Sequence, residues 1–597
     1  MTRMGLAITF VSVAAVVIAS ASCAGTERSF PEQQPVEIVP PEAGALEEPP
    51  SCEGLRCSRD MKNVVDGCTG DVVTECGPDK GCANGSCVDP CTAAEVSKGS
   101  VGCSFWTLPP DEPLGSGSCF AAMIANTWDR PVTITADYGT TPLDLGESLF
   151  TAEMIGSEPK YTKLEGPLPP GQVALVFLSE VRPAPKKPNF SACPLGTVGA
   201  FNGSPLVHGT AITSAFSIKT DAPVSLYSIY PYGGAKTYIP TATLVLPTSS
   251  WSDNYIAVNG WPPSRNITSG ELVGGPSLQI VAMSDDTEVR MRPKIDVYDG
   301  AGVTGGGAGQ PLTWRLARGQ VLQITQPDEL TGSPIQSNKP VGLFGGAKCT
   351  FVPESVMACD SLQQQIPPLA QWGHEYALVP FHSRLAGAAE RREVVPYRLV
   401  GAVDGTALTY DPKKPRDAPS VLRAGEVVSF MTDDLVVVKS QDADHPFYAA
   451  VMMTGAVFNG GYTAQTDGDP DFVNIVPTEQ FLDRYVFFAD YTFPETTLTL
   501  VRRKTASGFK PVELDCVGEV QGFQPLGVAG EYEYAWVDLT KNFASATGTC
   551  GAGRREAKSD GPFSVTVWGM GYAASYGYAG GTGSRPLTKV EAPVIVN

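Results

Sequence analysis

Pro247-Thr248-Ser249-Ser250-Trp251-Ser252-Asp253-Asn254-Tyr255 returns as Pro368, Trp372 and Tyr376, and again as Pro477, Phe481 and Tyr485. The copies lie about 110 to 120 residues apart, which is the mark of tandem structural units. A second phrase keeps the same rhythm: a polar turn, a proline (Pro223, Pro340, Pro446, Pro562), then a β-rich run. A third, Leu-x-x-Gly-x-Val, occurs at Leu168/Gly171/Val173, Leu316/Gly319/Val321 and Leu422/Gly425/Val427. Residues 280–289 align without gaps on residues 399–408, with Asp285-Asp286 and Asp404-Gly405 between apolar runs, the pattern of a tight hairpin. Short strand-like runs separated by Gly and Pro, with no long helical periodicity, predict an all-β protein of tandem β-sandwich-like repeats. The alternative arrangement is a propeller-like ring. The last unit has no such Pro-x-x-x-aromatic-x-x-x-Tyr phrase after it, as expected of a terminal unit with nothing to dock on.

Composition agrees. The chain has 597 residues, too many for one core, with 63 Gly, 51 Pro and only 18% charged residues. A net charge of -20 argues against nucleic acid or an anionic membrane surface as the main partner, since both require clustered Lys and Arg.

The amino terminus reads as an export signal: Arg3, then an apolar run over residues 4–21, then small residues before Cys23. Cleavage before Cys23 makes that thiol a lipidation site; a plain signal peptide cut after Ala21 or Ser22, or a retained anchor, are the alternatives. Setting Cys23 aside leaves an even number of the 15 cysteines, which in an exported chain reads as disulfides. Eight fall between Cys52 and Cys103, where large apolar residues are scarce and cysteines must staple the fold. The other six form the candidate pairs Cys119 with Cys193, Cys349 with Cys359, and Cys516 with Cys550. Zinc is disfavoured, because the segment has neither a Cys-x-x-Cys pair nor a His. The expected organisation is a signal peptide (1–22), a Pro/Glu-rich tether (23–51), a Cys-rich module (52–103), and β modules at 104–250, 251–372, 373–482 and 483–597, the last divergent.

Candidate chemistry is sparse. The chain has four histidines, His208, His374, His382 and His445, and no Gly-x-Ser-x-Gly elbow or zincin motif. Structural roles are expected for all four. Asp467, Asp469 and Asp471 alternate in one loop and form the candidate Ca²⁺ site, against a capped turn as the simpler alternative; no other cofactor is expected. Trp251, Trp372 and Phe481 are expected in the core, while Trp106, Trp128, Trp261, Tyr576 and Tyr578 lie outside the repeat pattern and stay open as surface contacts.

Gly468-Asp469-Pro470-Asp471-Phe472, residues 477–485, 280–289 and 575–578 resemble the amino-terminal domain of IgGFc-binding proteins, in particular bacterial, myxobacterial-type lipoproteins in which a Cys-rich segment precedes the domain and a phrase such as Cys103-Ser104-Phe105-Trp106 opens it. The resemblance spans roughly residues 100 to 585 and implies a binding or adhesion protein, not an enzyme. Its implied partner is an extracellular protein or glycan, with the membrane reached through the lipid anchor and no nucleic acid involved. The implied place is the outer membrane or cell surface, or secretion. An envelope scaffold and a glycan-active enzyme are the alternatives.

Overall fold

Each copy of the repeated phrase builds the same corner. Proline fixes its own backbone in the extended region (φ −63° at Pro247, −61° at Pro368, −62° at Pro477) just ahead of a single 3₁₀ turn: Thr248–Ser250, Leu369–Gln371 or Thr478–Gln480. A strand follows, Ser252–Ile256, Glu375–Leu378 or Leu482–Ala489. The tyrosine then joins the first phrase to the second. Its hydroxyl donates to the carbonyl of the residue just after the second phrase's proline: Val341 (2.7 Å) from Tyr255, Phe447 (2.6 Å) from Tyr376 and Phe563 (2.5 Å) from Tyr485. The same hydroxyl accepts the backbone N–H three residues earlier, at Ser252, Gly373 or Leu482. The two phrases are thus two sides of one buried contact.

The computed structural model describes residues 54–594 apart from 186, 188, 264–274, 355, 357–358, 386–391 and 458–466. The signal, Cys23, the tether and Cys52 lie outside the described residues. From Gly54 onward the chain is one compact unit. It is nearly all-β, in four repeated units, with a stapled module at its start that carries the short helix Pro90–Ser97.

In the first, second and fourth repeats one long strand organises the sheet. Pro334–Thr350 pairs over its first half with Ser252–Ile256 and Thr287–Met291, and over its second half with Pro276–Ala282 and Asp360–Ile366. Phe216–Tyr230 and Gly553–Gly571 do the same in the first and last repeats. In the third, residues 440–446 break the strand into Val436–Lys439 and Phe447–Met453. The sheet so folded over encloses a core of alternating apolar residues. The hairpins expected at Asp285-Asp286 and Asp404-Gly405 do not form. Pro276–Ala282 and Thr287–Met291 run on in one direction along the same partner, Pro334–Thr350. Val395–Gly401 does not pair with Thr406–Ala407 but with Val427–Thr432 and Phe447–Met453, so Asp286 (φ 51°) and Gly405 (φ 76°) make a kink between successive strands rather than a reversal.

The repeats close on themselves rather than stringing out. Trp106 and Trp251 share a cluster across the first seam, and Trp372 and Tyr448 share one across the second. Val437 and Phe481 meet across the third, and Leu244 and Tyr576 across the last. The terminal unit, expected to have nothing to dock on, docks on the first: Tyr227 donates to the Val486 and Gly580 carbonyls, and Gly583 bridges to Gly99. Four inner strands, Thr241–Val245, Asp360–Ile366, Asp471–Asn474 and Ala574–Ala579, each touch the next around a common axis. The axis is polar: Gln364 donates to the Ala242 and Gly577 carbonyls, and Gln365 accepts from the Leu246 N–H.

Disulfides join Cys57 to Cys82, Cys76 to Cys87 and Cys91 to Cys103 in the stapled module. Others join Cys119 to Cys193, Cys349 to Cys359 and Cys516 to Cys550. Trp251, Trp372 and Phe481 are buried. So are Trp106, Trp128, Trp261, Tyr576 and Tyr578, which corrects their reading as open surface contacts: Trp106, Trp261, Tyr576 and Tyr578 fill the seams and axis that ring closure creates, and Trp128 packs against the stapled module, donating to the Pro78 carbonyl.

Candidate functional site

At the end of the axis where the inner strands begin, two aromatic side chains stay in solvent. Tyr238 is 45% exposed and Tyr572 is 59% exposed, and their rings meet edge to face with centroids 6.4 Å apart. Tyr238 precedes the inner strand Thr241–Val245, and Tyr572 precedes Ala574–Ala579. The backbone there is held in an unfavourable region: φ is +63° at Tyr238 and +45° at Ala573, where a side chain is strained. An exposed aromatic pair on a strained, fixed backbone has the character of a binding surface rather than of packing. No repeat phrase contains either residue, so periodicity could not have found them; their one signal was their place, just before the inner strands.

The predicted Asp trio reaches this region without assembling. Asp467 is exposed, and its backbone bridges to Tyr572. Asp469 and Asp471 are buried: Asp469 accepts the Ala456 N–H, and Asp471 accepts from Thr241 and the Phe472 N–H. Gly468, at φ +83°, makes the turn between Asp467 and Asp469. Asp360 lies within electrostatic reach, and neither of its oxygens has a hydrogen-bond partner among the described residues. Burial pushes the carboxyls of Asp360 and Asp471 well above the usual range, and that of Asp469 up to about 7. Among the described residues no set of three His, Cys, Asp or Glu side chains is arranged to hold a metal ion. Asp360, Asp469 and Asp471 thus form a buried polar cluster, with Asp467 outside it.

A concavity of about 870 Å³ runs between the stapled module and the last repeat. Its charges are already matched: Arg59 with Asp483 (2.9 Å) and Asp560 (3.1 Å), Arg484 with Glu556 (2.8 Å), and Lys558 with Glu513 (3.1 Å). It reads as an ion-paired seam holding the module in place. The four histidines each meet a carboxylate: His208 with Asp111, His374 with Glu479, His382 with Asp538 and His445 with Asp442. No helix among the described residues is long and apolar enough to cross a membrane.

Against known proteins, the family model described as IgGFc binding protein matches residues 241–569. No curated protein and no solved structure matches.

Proposed function

Because the chain belongs to the IgGFc binding protein family, a family of binding rather than catalytic proteins, we propose that it is an exported binding and adhesion protein that presents the Tyr238–Tyr572 surface to an extracellular protein or glycan. The observation that carries this reading is the exposed aromatic pair at the mouth of a closed, disulfide-braced ring. Tyrosine gives a large contact area at low entropic cost, and the rigid frame spares the partner the cost of ordering a loop. Lipid on Cys23, followed by the Pro/Glu-rich residues 24–51, would hold the ring away from an outer membrane, as in the bacterial lipoprotein branch that the sequence resembles.

The test uses the full mature chain on an array of glycans, mucins and matrix proteins, beside a heat-denatured sample. Saturable binding, lost on denaturation and weakened about tenfold or more by Tyr238→Ser with Tyr572→Ser, is expected. Binding that ignores both substitutions removes this surface from the proposal. Protease shaving of intact cells tests location: a ring protected throughout points instead to a scaffold inside the envelope.

A further inference from the structure

The loop between the strands Gly102–Thr107 and Phe120–Asn126 carries Asp111 and Ser116, and the loop before Ala211–Ser214 carries His208. The three meet in one line. Ser116 Oγ lies 2.9 Å from His208 Nε2, and His208 Nδ1 lies 2.7 Å from Asp111 Oδ1. Asp111 is fully buried, and its second oxygen accepts the Gly209 N–H at 2.9 Å. A carboxylate so placed accepts a hydrogen bond from Nδ1–H, which keeps the proton on Nδ1 and leaves Nε2 free to accept from the serine hydroxyl. This is the geometry that activates a nucleophile: hydroxyl to base, base to an orienting acid.

The turn under Ser116 is rigid. Glu112, buried, accepts the N–H groups of Leu114 and Gly115 (2.7 Å for the latter), and Ser118 N–H donates to the Gly115 carbonyl. Gly117 holds φ +87°, and a β-carbon there would stand 2.0 Å from the Val181 carbonyl, so only glycine fits. The Cys119–Cys193 disulfide ties down the strand that follows. Ser116 is half-buried, while the His208 side chain is 36% exposed. Beside them lies a shallow depression with a cavity of only about 10 Å³, walled by Pro109, Val181, Pro205 and Leu206. That space takes a methyl-sized acyl group, with the alcohol half of an ester projecting into solvent.

We propose that Ser116 and His208, positioned by Asp111, hydrolyse small acyl esters such as O-acetyl groups. Ser116 Oγ bonds to the acyl carbon as its proton passes to His208 Nε2 and the carbonyl electron pair moves onto oxygen. Collapse breaks the ester C–O bond, and the leaving alkoxide takes the proton from His208. Water then attacks the acyl-serine, gives a proton to His208, and releases the carboxylic acid as Ser116 recovers that proton. The activity stands apart from the binding surface proposed above, and neither reading depends on the other.

The experiment treats the full mature chain with a fluorophosphonate probe, maps the labelled peptide, and follows p-nitrophenyl acetate hydrolysis in parallel. Labelling of Ser116 is expected, with label and esterase activity both lost in Ser116→Ala at an unchanged melting temperature. Asp111→Asn is expected to slow labelling by about 100-fold or more, because the wrong imidazole tautomer then faces the serine; should that variant not fold, His208→Gln serves in its place. An unlabelled wild-type chain, or label and hydrolysis that persist in Ser116→Ala, overturns the proposal.

Discussion

Replacing Tyr376 by Phe removes one oxygen and leaves the ring's packing in place, so it isolates the hydrogen bonds that join the two repeated phrases. The hydroxyl donates to the Phe447 carbonyl at 2.6 Å and accepts the Gly373 N–H at 3.1 Å, and the side chain is 2% exposed. Each bond contributes about 1 kcal/mol net, and stranding a buried carbonyl and a buried N–H adds to the loss, so a destabilisation of about 2–3 kcal/mol is expected. Tyr485→Phe should match it; Tyr255→Phe should fall somewhat lower, since its accepted bond is the longest at 3.3 Å. The first repeat contains its own control. Phe105 occupies the matching register there, with Ile218 opposite it as Ile335 is opposite Tyr255. Its ring tip already lies near Gly102, so Phe105→Tyr should be neutral or stabilising by up to about 1 kcal/mol. Urea denaturation followed by tryptophan fluorescence, with hydrogen exchange at residues 373 and 447, reads all four. The exposed Tyr298→Phe is the reference. If Tyr376→Phe unfolds like Tyr298→Phe, the repeated tyrosine is a packing residue and the contact between phrases carries no energy of its own.

Arg398 reaches across the second seam to Glu329 (2.7 Å) and the Gly260 carbonyl (3.1 Å), lying over Trp261; Arg398→Ala should cost about 3–5 kcal/mol in urea titrations and Arg398→Met clearly less, and equal losses would refute the charge-based account. Glu479 holds His374 above its ordinary range at 2.5 Å across the third seam, while His374 helps hold Glu479 below its own. The histidine's contribution is therefore full below about pH 6.5 and lost as pH rises through its raised value, and the carboxylate's is lost as pH falls below about 4.3; Glu479→Gln should lower the melting temperature most between these limits and remove this pair's share of its decline above and below them, and an unchanged profile would refute the pairing. Chelation with EGTA should leave the melting temperature unchanged, because Asp469 and Asp471 are held by backbone donors; a calcium-dependent rise of several degrees would restore them as ligands.

The repeat was legible because the same corner is built from the same residue types each time: a proline to fix φ, an aromatic for the seam, a tyrosine for the carbonyl beyond the next proline. What spacing could not carry was closure. Nothing in residues 575–585 announces that Gly583 will bridge to Gly99, so the last unit reads as a free end although it is a seam. The same gap hid the axis: Asp360, Gln364, Asp471 and Ser575 come from three repeats, and their burial exists only once the ring is shut. Burial also explains why the Asp trio misled. Alternation in sequence suggests convergence, but the strand begins only at Asp471, Asp469 is turned to the Ala456 N–H, and the turn at Gly468 leaves Asp467 in solvent. Ser116 and His208 were out of reach for a related reason. They stand 92 residues apart, in loops that diverge from the repeat pattern, and no linear motif spans them. The repeated strands do the same structural task in every unit, so chemistry particular to one unit belongs in the loops that differ: the turn at Ser116 in the first, and Tyr572 before the inner strand of the last. Function in this chain should accordingly be sought where the four units cease to resemble one another.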